Sequence, residues 1–307
     1  MRLFRGIRFI KRCVRPVVAL GVFDGLHRGH RKILCAAVRH ARRIKGTSIV
    51  VTFWPHPQKK QSLYSLQHRL KLFSGYGLDR CIVVRFDSRF AGVPAERFVR
   101  DFLVRGLGVY ALFVGRNFRF GSGARGNWKL LKRLAQKYGF KVKIFDVIKY
   151  GRQTVSSTLI RSLISAGKLR LAEELLGRPV AILGTVIRGK SLGRKLGFPT
   201  ANINPHHEVL PPSGIYAVMV FLGKRKFGGA CYIGSRPTFR KSKTKLSSAP
   251  RSIEVHIFGF NKPLYGKDIE VRFLEKIRPD RKFSSPGELV LNIKKDISAA
   301  KRIISSL

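Results

Sequence analysis

The sequence predicts an α/β unit followed by a β unit: a parallel sheet with helices on both faces, then a small antiparallel β-barrel carrying one terminal helix. Three observations predict it. Residues 17 to 148 alternate apolar, β-branched runs with amphipathic helical segments, the pattern of a parallel sheet buried on both faces. After Gly177 the runs shorten and are separated by Gly and Pro turns, as in small barrels. The last twenty or so residues return to helical periodicity.

The first strand is VVAL, which ends in a turn before a helix from about His30 to Ile44. Ile33, Leu34, Ala37, Val38, Ala41 and Ile44 recur there at helical spacing. SIVVTF, a helical segment from Leu66 to Phe73, CIVVRF, a helix around Phe98 to Leu107, ALFVG, a helix from about Leu130 to Tyr138 and KVKIFDV complete the alternation. In such sheets ligands bind at the carboxyl ends of the strands. VAILGTVI, IYAVMVF, GACYIG, IEVHIFGF and IEVRFLEKI are the barrel strands. Ser285 caps the final helix, Pro286 sits just inside it, and Leu289, Ile293, Ile297, Ala300 and Ile304 share one face. The domain boundary falls near LLGRPV, giving residues 1–180 and 181–307, and RKSKTKLSSAPRS at 240–252 is expected to be a mobile loop.

With 307 residues, 44% of them hydrophobic, the chain is long enough for two domains. No apolar run approaches the roughly 20 residues that span a bilayer, so no membrane partner is expected. MRLFRGIRFIKRCVRP has no uncharged apolar core and reads as mature protein. Cys13, Cys35, Cys81 and Cys231 are far apart, which argues against a disulfide framework or zinc site and fits the cytoplasm. The 62 Lys and Arg against 16 Asp and Glu give +46, with a pI near 11.4. The cations are spread over every segment, so nucleic-acid binding is expected only as a non-specific consequence of that charge.

GVFDGLHRGH, residues 21–30, lies where the first strand meets the first helix. A helix N-terminus offers free N–H groups and a positive dipole end, Gly25 and Gly29 let phosphate approach the backbone, and His27 and His30 add donors there. In VSSTLIRSLISAGKLRLAEELLGRP, residues 155–179, Ser156, Ser157 or Thr158 can cap the following helix, with Arg161 on its first turn facing phosphate oxygens. GTVIRGKSLGRKLGFPTANINP, residues 184–205, joins a glycine-rich stretch to a Thr hydroxyl and an Asn carbonyl, both suitable magnesium ligands.

GVFDGLHRGH resembles the His-x-Gly-His motif of the nucleotidylyltransferase superfamily, and more narrowly that of the bacterial bifunctional riboflavin kinase/FMN adenylyltransferase (FAD synthetase) family. Ser-Ser-Thr-x-Ile-Arg at 156–161, VTFWPHP at 51–57 and VGRNFRFGSGARGN at 114–127 match the same family in order. Gly-Phe-Pro-Thr-Ala-Asn at 197–202 resembles the riboflavin kinase signature, followed by GIYAV, IGSRPTF, IEVHIF and LYGKDIEVRFLEKIRPDRKF. The likeness runs from about Val17 to Lys301.

This resemblance implies a Rossmann-like adenylyltransferase sheet and a riboflavin kinase-like barrel. The first would join FMN and ATP into FAD with release of pyrophosphate, and the second would phosphorylate riboflavin with ATP. ATP, riboflavin and FMN are then the small-molecule partners, with magnesium accompanying ATP. His27, His30 and Arg161 would act on the adenylyl transfer. Gly21, Phe23, Asp24, Gly25, Gly29, His56, Asn117, Ser156, Ser157 and Thr158 would bind nucleotide or flavin around them. Gly189, Gly193, Gly197 and Pro199 would cradle the kinase nucleotide, Thr200 and Asn202 would hold magnesium, and Glu254 would be the catalytic base. Asn117 and Asn127 stand where Asp is expected, Gly259 and Pro263 replace expected acids, and Asp280 replaces a Glu. Trp54, Phe118 and Phe120 could serve either a ligand or the core. Two rivals are a nucleotidylyltransferase acting on another phosphate or acid, which would lack the kinase motifs, and a basic nucleic-acid-binding protein, which would not need His27, His30, Arg161, Thr200, Asn202 or Glu254.

Overall fold

Strand-like runs flanked by helices fold as the alternation requires, in a computed structural model that describes residues 1–6, 13–57, 61–189, 192–235 and 251–307. In chain order come β1 (Arg2–Arg5), β2 (Val17–Leu20), α1 (Arg28–Arg43), β3 (Ser48–Trp54), α2 (Leu66–Ser74), β4 (Arg80–Arg85), α3 (Ser88–Ala91) and α4 (Ala95–Arg97). Then follow β5 (Ala111–Gly115), α5 (Trp128–Tyr138), β6 (Lys141–Phe145) and the small hairpin β7 (Lys149–Tyr150) with β8 (Gln153–Thr154). β1 to β6 make one sheet in the order β1-β4-β3-β2-β5-β6, every neighbouring pair parallel. The edge strand β1, paired with β4, was not anticipated, because its Arg-Leu-Phe-Arg pattern has too few apolar residues to signal a strand.

Successive strand residues point to opposite faces, and the core divides accordingly. Val18, Ile49, Val51, Ile82 and Leu112 pack with Phe98, Phe102, Leu103 and Leu131. Val17, Ala19, Val50, Cys81 and Phe113 pack with Ile33, Leu34, Ala37 and Val38 of α1. The helix expected around Phe98 to Leu107 is present over Phe98–Gly106 but winds as a π-helix continuing α4, its wider turn accompanying the stacking of Phe98 on Phe102 at 5.2 Å. Phe120, 7% exposed and 5.8 Å from Phe98, belongs to this core.

The Ser-Ser-Thr segment opens α6 (Ser157–Ser165), and a turn with Gly167 at φ +75° separates it from α7 (Leu169–Leu176). Beyond lie β9 (Ala181–Ile187), α8 (Leu192–Lys195), β10 (Ala201–Asn204), β11 (Gly214–Leu222), β12 (Arg225–Ser235), β13 (Arg251–Ile257), β14 (Asp268–Arg278) and α9 (Pro286–Ser305). The six strands close a barrel in the order β10-β13-β12-β11-β14-β9, antiparallel throughout. Ser285 caps α9 by accepting from the Glu288 N–H at 3.1 Å, while Glu288 accepts from the Ser284 N–H at 2.9 Å. Of the expected loop at 240–252, residues up to 250 lie outside the described ones, and Arg251 and Ser252 open β13.

Backbone contacts divide the chain into two units, Met1–Leu159 and Ile160–Leu307. Among the described residues no helix is long and apolar enough to cross a membrane.

Candidate active sites

In the first unit β2 is an inner strand of the sheet, and the chain leaves its carboxyl end through Gly21-Val22-Phe23. The turn is tight: Phe23 (φ +52°) and Gly25 (φ +78°) both take the left-handed region, and a Cβ on Gly25 would lie 2.4 Å from Leu63 Cδ1. Gly25 is therefore required twice, by conformation and by space. The Asp24 carboxylate, 2% exposed, accepts from the N–H groups of Leu63 at 2.9 Å and Tyr64 at 3.3 Å, and its Oδ2 lies 3.9 Å from His56 Nε2. The Asp24 carbonyl accepts the Ser157 hydroxyl at 2.7 Å. Asp24, His56 and Ser157, brought together from three segments, thus hold the turn in place.

The turn delivers His27 as the residue preceding α1 and His30 to the helix's first turn, where their rings stack at 3.7 Å with 21° between planes. The Phe23 ring meets His30 edge-on at 5.3 Å, and Gly29 leaves room for the His27 imidazole, whose Cε1 would lie 3.1 Å from a Cβ there. The His27 side chain does not cap α1, and the helix N-terminus directs its positive field towards the turn. Ser156 caps α6, accepting from Leu159 N–H at 3.2 Å; Thr158 is exposed and Arg161 half-buried on the same helix. Asn117 is exposed in the turn after β5. Asn127 caps α5 through bonds from Lys129 and Leu130 N–H at 3.0 and 3.1 Å, a task that needs an oxygen but no charge.

Sequence reasoning missed Arg69. It is 1% exposed on α2, and its guanidinium donates to the Val22 carbonyl at 2.6 Å, the Thr52 hydroxyl at 3.0 Å and the Phe53 carbonyl at 3.3 Å. Burial lowers its pKa, and the Asp24 carboxylate opposes that shift. Arg69 therefore ties the ends of β2 and β3 together under the histidine turn. An Arg among apolar residues in Leu66–Phe73 carried no sequence signal, since most such residues are solvated.

In the second unit a cavity of about 680 Å³ lies against the barrel. Along β13, Ile253, Val255 and Ile257 face the core while Ser252, Glu254 and His256 face this cavity. The register pairs Asn202 of β10 with Glu254, and the preceding Thr200 donates to Glu254 Oε2 at 3.2 Å while Ser252 donates to Oε1 at 3.3 Å. His256 Nδ1 donates to the Pro199 carbonyl at 2.9 Å, fixing the chain just before Thr200. A Cβ on Gly189 would lie 2.1 Å from Asn202 Nδ2, and one on Gly193 2.5 Å from the Phe198 carbonyl, so these two glycines are spatial requirements of the site. Gly197, at φ +86°, makes the turn that precedes Phe198.

The opposite wall is α9, whose Leu289, Ile293 and Ile297 line the cavity as its periodicity predicts. α9 is fastened to β14 by a two-pronged bond from Arg278 to Asp296 at 2.9 and 2.7 Å, with the Asp296 side chain 9% exposed. Tyr232 donates to Asp280 at 3.2 Å; burial, Asp280 and Glu254 push its pKa up to about 12. Ser252 and His256 follow from the alternation about Glu254, whereas the partnerships of Tyr232 and Arg278 depend on tertiary register that no motif encodes.

The FAD synthetase family matches residues 11–159 and the riboflavin kinase family residues 176–304. A protein of Escherichia coli named bifunctional riboflavin kinase/FMN adenylyltransferase is 37% identical, covering 98% of this chain and 97% of its own length. The chain belongs to this bifunctional family. Members of the family from Buchnera aphidicola (36% identical, 98% of each chain) and Bacillus subtilis (33%, 95% and 94%) bear the same name. A crystal structure described as a macrolide-efflux protein from Streptococcus pneumoniae is 28% identical with a TM-score of 0.81, covering 96% of this chain and 97% of that one.

Proposed function

We propose that the barrel site phosphorylates riboflavin and the histidine turn converts the resulting FMN to FAD. The observation that carries the kinase assignment is the meeting of Thr200 and Asn202 with Glu254, which is more than fifty residues away in sequence, in one glycine-lined cavity. Glu254 accepts the proton of the ribityl 5′-hydroxyl as that oxygen attacks the γ-phosphorus of ATP; the bond to the β,γ-bridging oxygen breaks and ADP leaves. Ser252 and Thr200 hold the carboxylate in one orientation for that transfer. The apolar side of α9 excludes water from the flavin end of the cavity.

Magnesium fits the donor set, because the Thr200 hydroxyl and Asn202 carbonyl are hard oxygens beside a carboxylate, and only a residue without Cβ at 189 leaves Asn202 its place. When bound with ATP it would neutralise phosphate charge.

In adenylyl transfer an FMN phosphate oxygen attacks the α-phosphorus, the bond to the bridging oxygen breaks, and pyrophosphate leaves. His27, His30 and the α1 N-terminus stabilise the charge on the departing group, with Arg161 reaching nucleotide phosphate and Ser156, Ser157 and Thr158 beside it. Gly21, Phe23, Gly25, Gly29, His56 and Asn117 complete the nucleotide and flavin surface, and Gly193, Gly197 and Pro199 that of the kinase. The functional boundary is proposed near residue 180, beyond the FAD synthetase match, just inside the start of the riboflavin kinase match and directly before the first barrel strand. A cytoplasmic setting agrees with four cysteines that form no disulfide.

One incubation with riboflavin, ATP and magnesium, with flavins separated by chromatography, tests the assignment. FMN is expected first and FAD after it; riboflavin left unconverted would overturn the kinase reading, and FMN accumulating without FAD would overturn the adenylyltransferase reading.

A further inference from the structure

The formal charge of +46 is not balanced equally on all helices. Between Asp24 and Asp79 the chain has no Asp or Glu, and α1 lies wholly within that interval. Its outer side exposes Arg28, Arg31, Lys32, Arg39, Arg42 and Arg43. Arg28, Lys32, Arg39 and Arg43 follow one another at helical spacing and form a single stripe, about 22 Å long at about 1.5 Å per residue. At its far end the stripe reaches the sheet edge, where β6 exposes Lys141 and Lys143. His40, on the same helix, receives a bond from Arg43 and, after burial, is held below its usual pKa by Arg43, Lys141 and Lys143, which locates all three cations around one point.

The helix running through Phe98–Gly106 is different. There Asp101 takes Arg97, Arg100 and Arg105, and Glu96 takes Lys137. Among the described residues no ion pair involves a cation of α1; the acid beside this face, Asp146, is paired with Arg116 and only more weakly feels Lys32. Like charges four residues apart on a helix repel, so this face costs stability unless an anion covers it.

We propose that the α1–β6 face docks duplex DNA through its sugar-phosphate backbone. Guanidinium forks suit phosphate oxygens. α1 has no Phe, Tyr or Trp to stack on the bases of a single strand, and no Asn, Gln, Asp or Glu to read adenine or cytosine edges. A surface helix matches the width of a B-form major groove, about 12 Å, whereas the A-form groove is too narrow to admit it. The exposed stripe has no large apolar residue, so it lacks the anchor of a membrane-surface helix. This inference does not depend on the flavin chemistry.

Fluorescence anisotropy of the full chain with a short labelled DNA duplex, titrated between about 50 and 200 mM salt, tests it. Each lost phosphate contact lowers the slope of log affinity against log salt by about 0.9, so Arg39→Gln, Arg43→Gln and Lys143→Gln together should lower it by roughly 3. A triple of equal charge in the other unit, Lys224→Gln, Lys226→Gln and Lys267→Gln, all exposed, should leave the slope nearly unchanged. Circular dichroism establishes that both variants are folded. Equal losses in the two triples would overturn the proposal, since charge would then act over the whole surface. Tighter binding of single-stranded DNA, duplex RNA or phosphatidylserine vesicles than of duplex DNA would overturn the occupant.

Discussion

The two sites are built by opposite means. At the first, the two histidines proposed to act are three residues apart, and one strand-turn-helix passage places both. At the second, Thr200 and Glu254 meet only because β10 and β13 pair in one register. A slip of one residue in that register would turn Glu254 into the core and Val255 into the cavity. The proposed adenylyltransferase site is therefore encoded locally and steadied from outside by Arg69, Asp24 and Ser157, while the proposed kinase site is a product of barrel closure.

Replacing Glu254 by Gln should produce the largest effect, because it removes the basic oxygen and keeps the shape. FMN-forming kcat should fall by about 10²- to 10⁴-fold with little change in riboflavin KM, and added magnesium should not restore it. Thr200→Ala should instead raise the magnesium requirement. Retention of normal kcat by Glu254→Gln would mean that the pairing with Asn202 serves structure alone.

At the local site, His30→Ala should lower FAD formation by about 10²- to 10³-fold and leave FMN formation unchanged, both followed in one chromatographic assay. Equal loss of both activities would break the separation between the sites. A smaller fall, about 10²-fold or less in FAD-forming kcat, is expected for Arg69→Met, because the ends of β2 and β3 lose a shared donor. Arg69→Lys, which keeps the charge but not the fork, should recover part of it; if Met and Lys variants behave alike, geometry and not charge is what Arg69 supplies.

The smallest effect concerns Tyr232. In the folded kinase unit its phenol titrates near 12, above the ordinary value of 10.0, so the unfolded chain loses its proton first as pH rises. Stability should accordingly fall as pH climbs from about 10 to about 12, and Tyr232→Phe should flatten that decline in chemical denaturation measured across the interval. An unchanged slope would show that the bond to Asp280 contributes nothing to folding.

Much of this was legible in the sequence, and unevenly so. The sheet strands were readable because burial on both faces leaves uninterrupted apolar runs such as Ser48–Trp54. β10 was not, because Ala201–Asn204 carries polar residues that belong to the site, and its strand character comes from its neighbours β9 and β13. Histidine spacing, the Thr-Ala-Asn run and the apolar face of α9 could be read from short windows. Arg69 beneath the histidine turn, Arg278 on Asp296 and Tyr232 on Asp280 could not, since each joins residues whose proximity is decided only when the sheet or barrel is complete. The helix cap at Asn127 explains why a neutral amide is tolerated where an acid was expected.

Barrel closure has a temporal side as well. β9 opens the barrel and pairs with β14, Ala181 lying opposite Arg272. During synthesis the first barrel strand must therefore wait, one edge unfilled, until some ninety further residues have left the ribosome. At roughly 5 to 20 residues per second that is a delay of several seconds or more. The parallel sheet has a comparable wait at its centre, but an earlier one: β2 can pair with β3 as soon as α1 has formed between them, and it meets β5, Val17 opposite Ala111, only some ninety residues later. Translation rate across residues 181–272 is thus a quantity to which the yield of folded kinase unit should respond while that of the first unit does not.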